Sequence, residues 1–251
     1  MTAASEVFAD LAAEQDALAA MLGRLGDADW AKPSAAGGWS VSDVVLHLAQ
    51  TEELVPATVN GTMSGLRGSG RAGEARSMDE AADQAVAAER GQPPEAVFAR
   101  WRSARREALT ALRGCASDRK LAWAAAPLSP VTLATTRLAE HWAHALDIAD
   151  GLGLDYPDTS RLRHVAWLAM RTLPYAFAVG GMPAAAVRAE LAAPDGATWR
   201  FGADEAAGVI AGAASAFCRV AARRLAPADS GLTTTGPGAA EALRVLRTYA
   251  A

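Results

Sequence analysis

Apolar residues recur at helical spacing along the first two-thirds of the chain. Phe8, Leu11, Leu18, Met21, Leu22 and Leu25 form one stripe, which Gly26-Asp27 closes. After a loop from Pro33 to Gly38, Ser40 stands three residues before Asp43 and just ahead of Val44, Val45, Leu46 and Leu48. That spacing predicts a capped helix running to about Val59, with Asp in the place usually held by Glu. Gly61 to Arg76 is rich in Gly, Ser and Arg and reads as a surface loop. Helices are predicted over Asp79 to Arg90 and from Pro94 to about Arg113, the second carrying Val97, Phe98, Trp101, Leu109 and Leu112. Trp123 to Pro130 is a turn-rich connector, and Pro130 suits the first turn of a helix that Gly151 and Gly153 stop.

The pattern then changes. Arg161 to Val179 still reads as an apolar helix, with Pro174 expected to kink or end it. Gly180-Gly181-Met182-Pro183 reads as a linker. Beyond it, Val187 to Leu191 and Thr198 to Phe201 flank Pro194-Asp195-Gly196, which is hairpin chemistry. Asp204 to Leu225 is expected to be one long helix, and Gly236 to Tyr249 a turn with a short helix. The expected organisation is a helical domain over 1–180 and an α+β module over 184–251.

Composition sharpens this picture in two ways. The large hydrophobic share is dominated by Ala, which adds little buried area but has the highest helix propensity, so closely packed helices are expected. The net charge of −4 lacks the basic footprint that a phosphate backbone selects, which argues against nucleic acid and anionic membrane surfaces as partners. No segment approaches the roughly 20 apolar residues that span a bilayer, and no basic leader precedes an apolar run, so a soluble, cytoplasmic protein is expected. Cys115 and Cys218 lie far apart without CxxC spacing and read as reduced structural thiols. There is no Gly-x-Ser-x-Gly elbow, Walker loop or dinucleotide fingerprint, so serine hydrolase, nucleoside-triphosphatase and Rossmann functions have no support.

The chemistry lies in Arg137-x-x-Glu140-x-x-x-His144-x-x-Asp147. At about 100° per residue, side chains three or four apart share one helix face. Glu140 and His144 can therefore offer an oxygen and an imidazole nitrogen to one cation. A third ligand must come from elsewhere, and His47 is the histidine that lies in an apolar helical context far away in sequence. A helix bearing one His against a helix bearing Glu-x-x-x-His would form a three-ligand site with room for water or substrate. Each half also has a plainer reading, as a hydrogen-bonded core histidine and as a solvated helix-face pair.

Gly38-Trp39-Ser40-Val41-Ser42-Asp43-Val44-Val45-Leu46-His47-Leu48, followed some ninety residues later by the Arg137 to Asp147 motif, resembles the metal-binding domain of mycothiol-dependent maleylpyruvate isomerases, within the DinB-like superfamily. The resemblance implies a mainly α protein, a DinB-like up-down-down-up four-helix bundle with a smaller C-terminal α+β module. It implies His47, Glu140 and His144 as ligands of a divalent ion, usually zinc, and a low-molecular-weight thiol such as mycothiol as cofactor. The tail, with Thr198-Trp199-Arg200-Phe201-Gly202, looks like the small module carried by many such proteins and is weakly similar to one named for wyosine-base formation, which specifies no reaction.

Other residues carry alternatives. His141 can replace Glu140 in a His-x-x-His pair, as in relatives with three histidine ligands, but Glu140 falls on the family pattern. His164 has no motif around it. Arg137 and Asp147 are either groups that orient the ligands or helix-face ion partners. Arg219, Arg223 and Arg224 can serve a substrate carboxylate or form a solvated face. Three function classes follow: a thiol-dependent isomerase or S-transferase acting on a small electrophile, a metal-dependent hydrolase, and a non-catalytic metal-binding or ligand-sensing protein. The oligomeric state is left open, a homodimer included.

Overall fold

The structure is a computed structural model and is described for residues 3–62, 77–123 and 126–248. Most of the expected loop at Gly61 to Arg76, and two residues of the connector after Trp123, lie outside the described residues. The chain divides into two compact units, the first ending at Tyr156 and the second beginning at Pro157.

The first unit is helical. It contains α1 (Ala3–Leu22), a single turn α2 (Asp27–Trp30), α3 (Val41–Val59), α4 (Met78–Glu89), α5 (Pro94–Gly114) and α6 (Pro130–Leu152). Four of these, α1, α3, α5 and α6, form the bundle, and ionic and polar contacts fix their directions. Arg113 Nη2 donates to the Phe8 carbonyl and Arg105 pairs with Asp16, so α1 and α5 run antiparallel. Partners of α3 advance with it, from Asp43 with Arg90, four residues ahead of α5, to Glu53 with Arg100 within α5, so α3 and α5 run the same way. Glu52 pairs with Arg137 while His47 meets Glu140, so α3 and α6 are antiparallel. The order is up-down-down-up, in agreement with the expectation.

The predicted cap of α3 is present: the Asp43 backbone N–H donates to Ser40 Oγ at 3.2 Å, and the Ser40 N–H donates to Asp43 Oδ2 at 2.9 Å. Leu18, Leu22, Val44, Val45, Leu48, Trp101 and Ile148 bury their side chains together in the core. The helix α6 is buried almost all round. Its Leu133, Leu138, Leu146 and Ile148 are expected there, but Arg137, His141, His144 and Asp147 are buried too. Gly151 does not stop this helix, which ends at Gly153 with φ of 64°. Its role is close approach: a Cβ at Gly151 would lie 2.6 Å from the Pro33 carbonyl oxygen. The Ala35 N–H donates to the Asp147 carbonyl at 2.8 Å, so the segment leading into α3 is laid against the end of α6.

The second unit contains α7 (Leu162–Val179), β1 (Val187–Ala192), β2 (Thr198–Phe201), β3 (Gly208–Ala213), α8 (Ala214–Ala221), a short turn at Pro227–Asp229, β4 (Thr233–Thr235) and α9 (Ala239–Val245). Its sheet has the order β2-β1-β3-β4. The hairpin is as expected, β1 and β2 pairing antiparallel from Ala189↔Phe201 to Ala192↔Thr198. The long helix expected over Asp204 to Leu225 is corrected: Gly208 to Ala213 is a strand parallel to β1, and only Ala214 to Ala221 is helical. Alanine density imitates a helical stripe there, but Gly208 lets the Pro237 carbonyl oxygen come to 2.5 Å from where a Cβ would stand. Pro174 does not end α7. It lies on an exposed side, where water can serve the carbonyl whose partner it removes. α7 packs on α8, α9 and β2, so it groups with the sheet, whereas the sequence division places it before the boundary at 180.

Candidate metal centre

His47 is the seventh residue of α3, and Glu140 and His144 lie four apart on α6. Antiparallel packing of these helices brings the three together. His47 Nε2 is 3.0 Å from Glu140 Oε1, and His144 Nε2 is 3.5 Å from the same oxygen. One donor atom from each of the three lies within 4.8 Å of the others, close enough to hold one metal ion; among the described residues no other such group is found. Two imidazole nitrogens and a carboxylate oxygen are a donor set suited to zinc and similar ions, and three protein ligands leave coordination positions for a substrate or water. The Glu140 side chain keeps 30% of its exposure while both histidines are nearly buried, so the cluster is reachable from one side.

The surroundings orient these groups. His144 Nδ1 donates to Asp147 Oδ2 at 2.9 Å, which turns Nε2 toward Glu140. Asp147 is therefore a buried partner of His144 and not part of a solvated helix face. Burial works against the charged form of His144, but the Asp147 and Glu140 carboxylates outweigh it and raise its pKa above the ordinary value. Burial also opposes the Glu140 carboxylate, yet hydrogen bonds from His144 and His47 hold its pKa well below the usual range. For His47 burial wins over Glu140 and its pKa is lowered. The Trp39 ring walls the cluster, with its centroid 5.0 Å from that of His47 and 6.1 Å from that of His144. Its indole N–H is tied to Asp83 Oδ1 on α4 at 2.8 Å.

His141 is placed elsewhere. Its Nδ1 donates to the Arg137 carbonyl at 2.8 Å, and its Nε2 accepts from Trp101 Nε1 at 3.1 Å, so neither nitrogen is left for a metal. Arg137 is 3% exposed, donating through Nε to Glu52 and through Nη2 to Thr51 Oγ1, each at 2.7 Å. His164 is half-buried on α7. Arg219 pairs with Asp158 at 3.3 Å within the second unit, and Arg223 follows α8 in a left-handed backbone conformation, φ 63°. The two cysteines are free, Cys218 being buried with its thiol directed at the Leu162 carbonyl. Sequence reasoning missed Glu52, Thr51 and Trp101 as members of the site's surroundings. The available signal was the need of a buried Arg137 for a carboxylate, but nothing in the spacing distinguishes Glu52 from its exposed neighbour Glu53.

Residues 11–149 match the family model described as the mycothiol maleylpyruvate isomerase N-terminal domain. The chain belongs to this family. The match begins within α1 and ends within α6, so it takes in His47, Glu140 and His144. Two proteins of Mycobacterium tuberculosis, from strains CDC 1551 / Oshkosh and ATCC 25618 / H37Rv and both uncharacterized, are 35% identical to this chain over 246 residues. The alignment covers 96% of this chain and 94% of each relative. Among solved structures, the mycothiol-dependent maleylpyruvate isomerase superposes with a TM-score of 0.60 at 17% identity. A histidine-to-alanine mutant of that enzyme superposes with a TM-score of 0.63 at 16% identity. Both alignments cover 92% of each chain, and at these identities they establish a shared fold. No helix among the described residues is long and apolar enough to cross a membrane.

Proposed function

We propose that His47, Glu140 and His144 bind one divalent ion, zinc or an ion of similar preference, and that the protein is an isomerase or S-transferase using a small thiol of the mycothiol type on a small electrophile. The observation that carries this reading is the convergence of two imidazoles and a carboxylate from two antiparallel helices, with Asp147 orienting His144. Family membership supports the choice of thiol.

Such an ion supplies a Lewis acid that lowers the pKa of a thiol bound beside it near neutral pH. The chain's own residues prepare the place. Glu140, kept ionised by its two histidine neighbours, contributes the negative charge that favours a cation over a proton. Asp147 fixes the His144 tautomer, so that Nε2 presents a lone pair toward the cluster once the imidazole is neutral. Trp39 forms an apolar wall beside both imidazoles and limits water on that side. No side chain of the chain needs to act as a thiol nucleophile; the buried Cys218 has its pKa raised by burial and is withdrawn from that role.

Elemental analysis of purified protein is expected to find about one zinc per chain, with occupancy strongly reduced in His47→Ala and His144→Ala and little changed in His141→Gln. Mycothiol should bind the loaded protein with proton release, and thiol-dependent turnover should appear with an electrophilic alkene such as maleylpyruvate. Full metal content in both alanine variants would overturn the site. Loaded protein that hydrolyses an ester or amide without any thiol would assign a hydrolase instead, and metal binding without turnover would assign a metal-binding or sensing role.

A further inference from the structure

The Arg137–Glu52 pair lies beneath the candidate metal centre and joins the same two helices. Glu52 is five residues after His47 on α3, and Arg137 is three before Glu140 on α6. Glu52 is fully buried and Arg137 nearly so. Glu52 Oε1 receives the Arg137 Nε–H at 2.7 Å, while its other oxygen is buried with no hydrogen-bond partner among the described residues. Arg137 also reaches Thr51 Oγ1, and that hydroxyl donates to the carbonyl of His47 itself at 3.0 Å. A buried ion pair is weak evidence of stability, since apolar residues of like volume often pack as well or better. A half-satisfied carboxylate in such a pair costs more still. The pair therefore calls for a role besides packing.

Its position supplies one. Arg137 stands three residues before Glu140 on α6 and is held to Thr51, four residues after His47 on α3, so its positive charge lies about one helical turn from the candidate ligands on both helices. A guanidinium left uncompensated there would repel a divalent cation as it repels a proton. We infer that Glu52 is a charge-cancelling residue of the metal centre: it neutralises Arg137, so that a buried guanidinium about one turn from Glu140 does not weaken cation binding. With that pair neutral, the remaining charges at the centre are the carboxylates of Glu140 and Asp147, which balance a divalent ion.

This inference rests on the metal-binding reading above, and the experiment separates the two. Zinc affinity is measured by competition with a chelator for wild type, Glu52→Gln and the double variant Glu52→Gln/Arg137→Met. Glutamine keeps the size of Glu52 and an oxygen for Arg137 but removes the charge, and affinity is expected to fall at least about tenfold. The double variant, again neutral, should recover to within about threefold of wild type. Failure of wild type to bind zinc would overturn the metal-binding reading itself. Wild-type binding with an unchanged Glu52→Gln affinity overturns the role of Glu52. A double variant as weak as the single overturns the charge argument. Should Glu52→Gln not fold, the double variant decides alone, recovery supporting the inference and a tenfold loss overturning it.

Discussion

His141 and His144 stand three residues apart on α6 and have opposite environments. His144 lies between two carboxylates, whereas His141 accepts from an indole N–H and donates to a carbonyl, an arrangement that suits only the neutral ring. Burial, with Arg137 adding to it, pushes the His141 pKa down to about 3 from its ordinary 6.5. Unfolding restores the ordinary value, so between those two pH values the unfolded chain binds a proton that the folded chain refuses. The contribution of His141 to stability is complete above about pH 6.5 and is lost as pH falls through this window, by up to about 1.4 kcal/mol per pH unit. Urea unfolding of metal-free protein between pH 7.5 and 4.5 is expected to show this slope. His141→Gln can still accept from Trp101 and should flatten the profile; an equal slope in the variant would place the acid sensitivity elsewhere.

At the scale of elements, the start of α3 sets where His47 sits along the bundle. Ser40 and Asp43 cap each other's backbone N–H groups, and Asp43 also receives the Arg90 Nε–H at 2.9 Å. Ser40→Ala is expected to lower unfolding stability by about 1 kcal/mol. Asp43→Ala should cost more, because it also strands Arg90. Denaturant melts of the two variants test the order, and a reversed order would show that the Arg90 contact contributes little. The cap was legible in sequence because it is local: two residues three apart ahead of an apolar run suffice to define it. The strand β3 was not legible, because Gly208 to Ala213 is strand only in the presence of β1 and β4, and its alanines suit a helix equally well.

At the scale of the molecule, the division after Tyr156 leaves every candidate ligand in the first unit. Residues 1–156 produced alone are expected to melt cooperatively, to be helical by circular dichroism and to bind zinc with one ion per chain. A fragment of residues 1–180 keeps α7 but lacks α8, α9 and β2, on which α7 packs. That fragment should bind more of a hydrophobic dye and aggregate sooner. A soluble 1–180 fragment beside an unfolded 1–156 fragment would instead favour the boundary at Gly180-Gly181 read from the sequence.

What the sequence determined by itself is whatever depends on spacing within one helix or one hairpin. The faces of α3 and α6, the i, i+4 relation of Glu140 to His144, the cap at Ser40 and the turn between β1 and β2 are of this kind, because a few dihedral angles decide them. The apolar helical context of His47, together with the long-range match to a family motif, joined it to the other two candidate ligands. Tertiary structure alone decided which polar residues of α6 face what. Arg137, Glu140, His141, His144 and Asp147 are all polar residues of one helix, and no periodicity separates a candidate ligand from a partner of Trp101 or of Glu52. Their roles depend on where α3 and α5 lie against α6, and that is set by the burial of apolar side chains on all of these helices at once.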